Sequence, residues 1–396
     1  MVSCTPTETT PGPSTSTAPE AVNVSIWHDN DETMMNTIGA MVNAQLVADN
    51  ITVTFVKKAG LNDQLMLYGN DEVNGPDLYF AAHDTVGSYA TMGILAPATD
   101  FVDQSFFDTL GDTAVEAGKF SGIQYLVPSY SESLVFVYNK DRWEGTVPAT
   151  MDGLYEYAVA HTDTAANSYG FLNQYCTAYN MAAFVNAYGG FWLNAAAQPG
   201  IDNIHTTDAI KYYRKFVALQ GDGDYNTIHT LFNGGHADSI MTGPWAISGM
   251  KSAGLDIGYQ ALSDFTLPDG RKVAPYAGVQ SFGILKKAAK HKDAIGKVLR
   301  AASAKNIGVK LAADFNCATS NKEAQQDGAV AANEMIACIN RTLEEAAVPT
   351  PSNPEMNVVW QPAEQFLTDV YKSGADIDQS AATYQQNAEE LIANMQ

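Results

Sequence analysis

The chain has 396 residues, which exceeds one ordinary domain and fits two lobes of roughly 150–200 residues each. Hydrophobic residues make up 46% and charged residues 17%, a composition that excludes wholesale disorder. The 22 basic residues against 44 acidic residues give a net charge of −22, which excludes nucleic acid and anionic lipid surfaces as partners because of repulsion. No stretch is apolar over about 18–20 residues, so no transmembrane helix is predicted.

Residues 1–21 are predicted to form a disordered tether. The start, Met-Val-Ser-Cys, is followed by a tract rich in Thr, Pro and Ser, whose prolines favour an extended, hydrated backbone. A small residue followed by Cys ahead of such a stalk resembles a bacterial lipoprotein. The resemblance implies that Cys4 carries a lipid and anchors an extracytoplasmic protein to the outer face of the cell membrane. The alternative is an arbitrary surface cysteine on a disordered N-terminus.

From residue 22 onward the pattern is α/β. Alternating or continuous apolar runs predict strands at residues 22–27, 51–56, 78–81, 134–138, 239–241 and 281–285. Apolar residues at helical spacing predict helices at residues 35–46, with Thr33 as the cap, at residues 207–219, and from residue 356 to the end. Strands that alternate with helices predict a mostly parallel sheet, with ligands at the carboxyl ends of its strands.

The cysteines and histidines predict no metal or redox centre. Four cysteines and seven histidines are scattered along the chain without the spacing of a metal site, and no nucleotide-binding or hydrolase motif is present. No cofactor is therefore expected. In an extracytoplasmic protein, Cys317 and Cys338 are candidates for one disulfide across about 20 residues, worth around 3 kcal/mol. Cys176 is interpreted as a buried small hydrophobic residue.

Aromatic and acidic residues follow the predicted strands. Asp29 and Asp31 come after the first strand, Asp84 after the third, Glu132 after Tyr130. Carbohydrate-binding sites combine aromatic and acidic side chains. The C–H face of a pyranose ring stacks on an aromatic ring. Its neighbouring hydroxyls donate in pairs to a carboxylate. The sequence therefore predicts a carbohydrate cleft at the strand ends.

Five motifs, in order from about residue 22 to the C-terminus, resemble the maltose/maltodextrin-type oligosaccharide-binding proteins of ABC importers. They are GPDLYFAAHD at 75–84, VPSYSESL at 127–134 with YNKD at 138–141, AYGGF at 187–191, TGPWA at 242–246, and NVVW at 357–360. The resemblance implies ligand-binding roles for three carboxylates and three aromatic residues: Asp31, Asp84, Glu132, Tyr179, Trp245 and Trp360. Departures from the family pattern at Ala81, Thr85, Thr177 and Ala182 imply a different or roomier groove.

The same resemblance implies a two-lobed, type II periplasmic-binding-protein fold with a hinge and an interlobe ligand cleft. One lobe would comprise residues 22–131 and 280–335, the other residues 132–279 and 336–396. Such a protein closes on its ligand and delivers it to a membrane permease, without catalysis and as a monomer. A maltooligosaccharide is the expected ligand. The alternatives are a fructo-, xylo- or galacto-type oligosaccharide, a polyamine-type cation, or a glycoside hydrolase activity carried by a carboxylate pair.

Overall fold

A computed structural model describes residues 20–395 of the chain. The predicted tether, apart from its last two positions, and the predicted lipid attachment at Cys4 lie outside the described residues. The strands are β1 (Val22–His28), β2 (Ile51–Lys57), β3 (Leu78–Ala82), β4 (Lys119–Phe120), β5 (Ile123–Gln124), β6 (Leu126–Glu132), β7 (Val135–Asn139), β8 (Ser239–Thr242), β9 (Ile257–Gln260), β10 (Tyr276–Ile284), β11 (Ala318–Thr319) and β12 (Val348–Pro349).

Helices alternate with these strands along most of the chain. They are α1 (Glu32–Leu46), α2 (Leu61–Tyr68), α3 (Val86–Thr91), α4 (Gln104–Phe107), α5 (Asp112–Ala117), α6 (Met151–His161), α7 (Ala178–Tyr188), α8 (Ile204–Val217), α9 (Tyr225–Asn233), α10 (Ile247–Ser252), α11 (Lys292–Ala302), α12 (Lys305–Phe315), α13 (Lys322–Gln325), α14 (Gly328–Ala331), α15 (Glu334–Glu345), α16 (Met356–Lys372) and α17 (Ile377–Ala393). Among residues 20–395, no helix is both long enough and apolar enough to cross a bilayer.

The larger sheet has the strand order β11-β6-β10-β3-β1-β2, and β12 pairs with the start of β10. β1 is parallel to β2 and β3, as predicted, whereas β10 is antiparallel to both β3 and β6. β6 therefore runs in the same direction as β1 and β3. The carboxyl ends of these three strands consequently meet at one edge of the sheet.

The smaller sheet, β8-β7-β9, is antiparallel throughout, so the prediction of a mostly parallel arrangement is wrong there. The physical reason is the long excursion through α6–α9, which returns the chain to the same end of β7 at which it left, so that Ser239 of β8 pairs with Tyr138. Successive side chains of β7 enter different cores, as the two-residue period of a strand requires. Phe136 packs with α7, α8 and α16, while Val135 and Val137 pack with α9, α10 and α15.

The two sheets form the centres of two lobes. Ile26 of β1 and Val42 of α1 belong to the core of the larger sheet. The chain passes to the smaller sheet through residues 133–134, between β6 and β7. Strand β10 also bridges the lobes, because Tyr276 packs in the core beside the smaller sheet while Phe282 packs in the core of the larger one.

The predicted disulfide is not formed. Cys317 and Cys338 are both buried free thiols. Cys317 lies in the core of the larger sheet, where its Sγ is 3.8 Å from the Sδ of Met34. Cys338 lies on α15, in the core behind the smaller sheet. The residues between them fold into β11, α13 and α14, so closeness in sequence does not bring the two sulfurs together.

Two predicted boundaries also change. Helix α1 is capped by Asp31, whose Oδ1 accepts a hydrogen bond from the backbone N–H of Met34 at 2.7 Å, and not by Thr33. The strand predicted at residues 281–285 is the second half of β10, which begins five residues earlier. Both differences bear on the candidate site, since they give Asp31 a structural role and extend β10 into the cleft.

Candidate functional site

A cleft lies at the carboxyl edge of β1, β3 and β6, facing elements of the second lobe. It consists of two cavities that share Asp29. The first has a volume of ≈ 270 Å³ and is lined by Asp31, Glu132 and Trp245 among others. The second has a volume of ≈ 710 Å³ and is lined by Asp84 and Trp360 among others. Because Asp29 lines both cavities, the two lie next to each other along the same edge of the sheet.

The three carboxylates predicted from the sequence reach the cleft because their strands run in the same direction. Asp31 follows β1, Asp84 lies in a short 3-10 turn (His83–Thr85) after β3, and Glu132 is the last residue of β6. The carboxyl ends of parallel strands meet at one edge of a sheet, where ligands of α/β proteins bind. The predicted placement of Asp31 and Asp84 after strands therefore agrees with the structure, whereas the strand that ends at Glu132 was not among the predicted ones.

The three predicted aromatic residues come from separate elements of the second lobe. Trp245 lies in the 3-10 turn Pro244–Ala246 after β8, Tyr179 in the first turn of α7, and Trp360 in the second turn of α16. Tyr276 of β10 joins them into one row. The ring centroids of Trp245 and Tyr179, of Tyr179 and Tyr276, and of Tyr276 and Trp360 are each 6.1 Å apart.

Five of the six predicted residues line the cleft directly. Tyr179 is the exception, since it lies in the aromatic row without lining either cavity. Its hydroxyl is buried and has no hydrogen-bond partner among the described residues. Burial raises the pKa of this phenol well above its ordinary value, and the negative charges of Glu132 and Asp84 add to the effect. The Tyr179 phenol is therefore close enough to both carboxylates for their charges to affect its pKa.

The carboxylates of the cleft are desolvated and repel one another. Burial raises the pKa of Glu132 to about 7, and the charges of Asp84 and Asp29 contribute in the same direction. Burial likewise raises the pKa of Asp84 to about 6. The pKa of Asp29 is also raised, first because surrounding protein atoms displace water and then because of the charge on Asp84. Buried carboxyl groups with raised pKa values that share a cleft are candidates for a functional site.

A hydrogen-bond chain holds Glu132 in place. The side-chain Nε2 of Gln280 donates to Glu132 Oε1 at 2.9 Å, and Gln280 Oε1 accepts from Asn30 Nδ2 at 3.0 Å. Asn30 in turn accepts from the hydroxyl of Tyr130 at 3.2 Å. The chain connects the loop after β1, strand β6 and strand β10. It fixes the direction of one carboxylate oxygen while leaving the other available.

Three residues were not predicted from the sequence: Asn30 and Gln280, which line the cleft, and Tyr276, which belongs to the aromatic row; Asp29 was placed after the first strand but was given no individual binding role. Asp29 and Asn30 directly precede Asp31 in the loop after β1, so the expectation that ligands bind at the carboxyl ends of strands applies to them as well. Tyr276 and Gln280 were missed because the predicted strand began at residue 281. The register of β10 changes between Gln280 and Ser281, and this irregularity hides the strand pattern in the sequence.

The arrangement suits a neutral ligand with many hydroxyl groups. Carboxylates on one side accept hydrogen bonds, while rings on the other side offer flat apolar faces. Within residues 20–395, no group of three or more His, Cys, Asp or Glu side chains is placed to hold a metal ion. His83 near the cleft accepts from the backbone N–H of Val279 at 3.1 Å, and burial lowers its pKa to about 4, so it adds no charge at neutral pH.

Comparison with known proteins gives consistent relationships. The family model for bacterial extracellular solute-binding proteins matches residues 35–306. The maltotriose-binding protein of Pyrococcus abyssi is 27% identical over 383 residues, covering 94% of this chain and 82% of that protein. The galactooligosaccharide-binding protein of Bacillus subtilis is 26% identical over 412 residues, covering 97% of this chain and 93% of that protein.

Solved structures support the fold. The maltose/maltodextrin-binding domain MalE of Bdellovibrio bacteriovorus, bound to maltotriose, superposes with a TM-score of 0.83 at 22% identity, covering 94% of this chain and all of that one. The chain therefore has the two-lobed type II periplasmic-binding fold. Since the family model spans more than half of the chain, and the family comprises binding proteins rather than enzymes, the protein belongs to the bacterial extracellular solute-binding proteins.

Proposed function

We propose that this protein captures a maltooligosaccharide in the cleft and delivers it to the permease of an ABC importer. One observation carries the proposal: an aromatic row from the second lobe lies at the same cleft as three desolvated carboxylates at the carboxyl ends of β1, β3 and β6. Asp29, Asp31, Asp84 and Glu132 accept hydrogen bonds from sugar hydroxyls. Trp245 and Trp360 stack on the pyranose faces, and Tyr179 supports Trp245. The name of the Pyrococcus abyssi relative adds weight to this choice of ligand.

The lobes close on the ligand by a hinge motion. We assign residues 22–131 and 280–335 to one lobe and residues 132–279 and 336–396 to the other. The packing of α15 (Glu334–Glu345) in the core behind the smaller sheet supports a boundary near residue 335. Closure is a population shift that only contacts made better in the closed state can drive, so a sugar must touch both lobes. The closed form then docks on the permease.

A galactooligosaccharide is the second candidate ligand. The Bacillus subtilis relative that is named for this ligand aligns with this chain over almost its whole length. The small side chains of Ala81 and Thr85 line the larger cavity, which leaves more room than the resembling family pattern provides. A polyamine is the competing charged ligand, because unpaired carboxylates beside aromatic rings also bind organic cations.

A thermal-shift and calorimetry panel distinguishes these ligands. The panel contains maltotriose, maltotetraose, galacto-, fructo- and xylooligosaccharides, and spermidine. Maltotriose or maltotetraose is expected to raise the Tm most, since a ligand that binds only the folded state stabilises it. Salt should leave sugar affinity nearly unchanged and should abolish spermidine binding. A Tm shift with spermidine alone, or with the galactooligosaccharide alone, contradicts the maltooligosaccharide assignment.

We further propose that Cys4 is lipidated and anchors a monomer to the outer face of the cell membrane. Two observations support it: the Ser-Cys start before a Thr/Pro/Ser tract, and the extracellular character of the family. Mass spectrometry of the protein purified from its own membranes should find a lipid-modified Cys4 peptide. An unmodified Cys4 contradicts the anchor, and a dimer in light scattering of the detergent-free protein contradicts the monomer.

A further inference from the structure

Three exposed methionines line the larger cavity of the cleft. Met66, Met92 and Met395 keep 50%, 43% and 45% of their surface exposed. They come from different parts of the chain: Met66 from α2, Met92 from the residue after α3, and Met395 from the end that follows α17. Segments far apart in sequence therefore place unbranched thioether side chains around the same space. We call these three residues the methionine wall.

Exposed apolar side chains that converge on one place mark a contact surface. Methionine is flexible and polarisable, so it adapts to apolar groups of different shape. The thioether sulfur is at most a weak hydrogen-bond acceptor and never a donor. A sugar hydroxyl directed at the methionine wall would lose its hydrogen bond to water without gaining another, which is unfavourable. An aryl or alkyl group incurs no such loss and buries apolar surface instead.

The wall is continuous with the part of the cleft that holds sugars in the proposed function. Asp84 and Trp360 line the same cavity as the three methionines. Ala81 and Thr85 line it too, and their small side chains leave the space beside Asp84 open. Two polar side chains of this cavity are paired with each other across the lobes, because Asn357 Nδ2 donates to Ser88 Oγ at 2.5 Å. A ligand that places a sugar against Asp84 and Trp360 therefore extends into a space with an apolar side.

We propose that the methionine wall binds an apolar substituent of the ligand, so that glycosides carrying an aryl or alkyl group are preferred over the free sugar. This inference rests on the proposed function, because the sugar positions the substituent. The substituent occupies the larger cavity beside Met66, Met92 and Met395. The ligand is therefore an oligosaccharide glycoside with a polar sugar end and an apolar end. The larger cavity is likewise lined by both polar and apolar side chains.

Calorimetry with matched ligands tests the inference. Maltotriose and its 4-nitrophenyl glycoside are titrated into the full chain, and the glycoside is expected to bind about tenfold more tightly. Met66→Gln and Met92→Gln keep the length of the side chain and add a polar amide. Each should remove most of the advantage of the glycoside while leaving maltotriose affinity within about twofold. Leu67→Gln is the control, since Leu67 neighbours Met66 on α2, is 69% exposed, and does not line the cavity.

The outcomes separate the inference from the proposed function. Equal affinity for both ligands overturns the inference and leaves the proposed function intact. A similar loss for both ligands in the Met66 and Met92 variants also overturns it, because the methionines then contact the sugar itself. If neither ligand binds, the maltooligosaccharide assignment fails and the inference fails with it.

Methyl NMR provides a direct readout that does not depend on affinity. In protein labelled at the methyl groups of its 13 methionines, the ring current of a bound nitrophenyl group should shift the signals of Met66, Met92 and Met395. The signal of Met250, which is buried in the core behind the smaller sheet, is the internal reference. Ligand-saturated spectra in which the wall signals respond alike to both ligands would overturn the inference.

Discussion

Gln280 donates a hydrogen bond of 2.9 Å to Glu132, and this contact joins the strand that bridges the lobes to the strand that leads into the second lobe. Both residues are buried. Among the described side-chain hydrogen bonds, the Glu132 carboxylate accepts only this one, and its donor is neutral. The carboxylate is thus oriented without being neutralised. Burial raises its pKa to about 7, and the hydrogen bond from Gln280 opposes this rise only in part.

Removing either tryptophan platform should weaken ligand binding. Trp245→Ala and Trp360→Ala are each expected to reduce the binding free energy of maltotriose by about 1–3 kcal/mol, through lost stacking and packing. Calorimetry measures the effect. Tyr225→Ala removes an exposed ring that lies outside both cavities and should leave affinity unchanged. Unchanged affinity in both tryptophan variants would mean that the platforms are misassigned.

Asp31 should have two separable roles. As the N-cap of α1 it stabilises the fold, so Asp31→Ala should lower the free energy of unfolding by about 1 kcal/mol and also weaken ligand binding. Asp31→Asn retains a capping oxygen, so it should spare stability while still weakening binding. Asp376→Ala removes the cap of α17 and is the control for stability alone. If Asp31→Asn binds like the unmodified protein, Asp31 acts only as a cap.

Ligand affinity should fall as the pH is lowered from 8 to 5. Glu132 and Asp84 have pKa values of about 7 and about 6, so they gain protons within this range. Protonation removes the charge-assisted hydrogen bonds that the carboxylates accept, and a loss of about tenfold or more is expected. Calorimetry of maltotriose binding at several pH values measures it. The double variant Glu132→Gln/Asp84→Asn should bind weakly with little pH dependence, whereas a flat profile in the unmodified protein contradicts these roles.

The stability of the ligand-free protein should change in the opposite direction. The pKa values of Asp84 and Glu132 in the folded state lie above the ordinary values of 3.8 and 4.5, so the folded state binds more protons than the unfolded state between about pH 4 and pH 7. The two groups therefore destabilise the fold above about pH 7, and the effect is relieved as the pH falls. Relative to the Glu132→Gln/Asp84→Asn variant, the Tm of the ligand-free protein should rise by a few degrees from pH 8 to pH 5. A Tm difference between the two proteins that does not change with pH would be inconsistent with the raised pKa values.

The unpartnered hydroxyl of Tyr179 should matter for binding and not for folding. Tyr179→Phe removes a buried hydroxyl without a partner, so the free energy of unfolding should stay constant or increase by up to about 1 kcal/mol. Ligand affinity should fall by a similar amount if the ligand supplies the missing partner. Tyr79→Phe is the control, because Tyr79 also has a buried, unpartnered hydroxyl but does not belong to the aromatic row of the cleft. Equal affinity in both variants would exclude the Tyr179 hydroxyl from the site.

Much of the fold follows from local patterns. Strands β1, β2 and β3 and helix α8 lie within a few residues of their predicted positions, because alternating or helical spacing of apolar residues depends only on neighbouring positions. The direction of strands in the second lobe was not predictable in this way. It depends on where the chain returns after α6–α9, and no local spacing records that path.

The sequence by itself determined that acidic side chains stand at the carboxyl ends of β1 and β3, because strand periodicity and the geometry of parallel sheets fix those positions locally. Asp31 and Asp84 are of this kind, whereas the role of Glu132 was implied by the family resemblance, since β6 was not among the predicted strands. Only the tertiary structure decided that Tyr276 completes the aromatic row, that Cys317 and Cys338 lie in separate cores, and that three methionines surround one cavity. Each of these depends on the packing of segments far apart in the chain, which residue spacing does not encode.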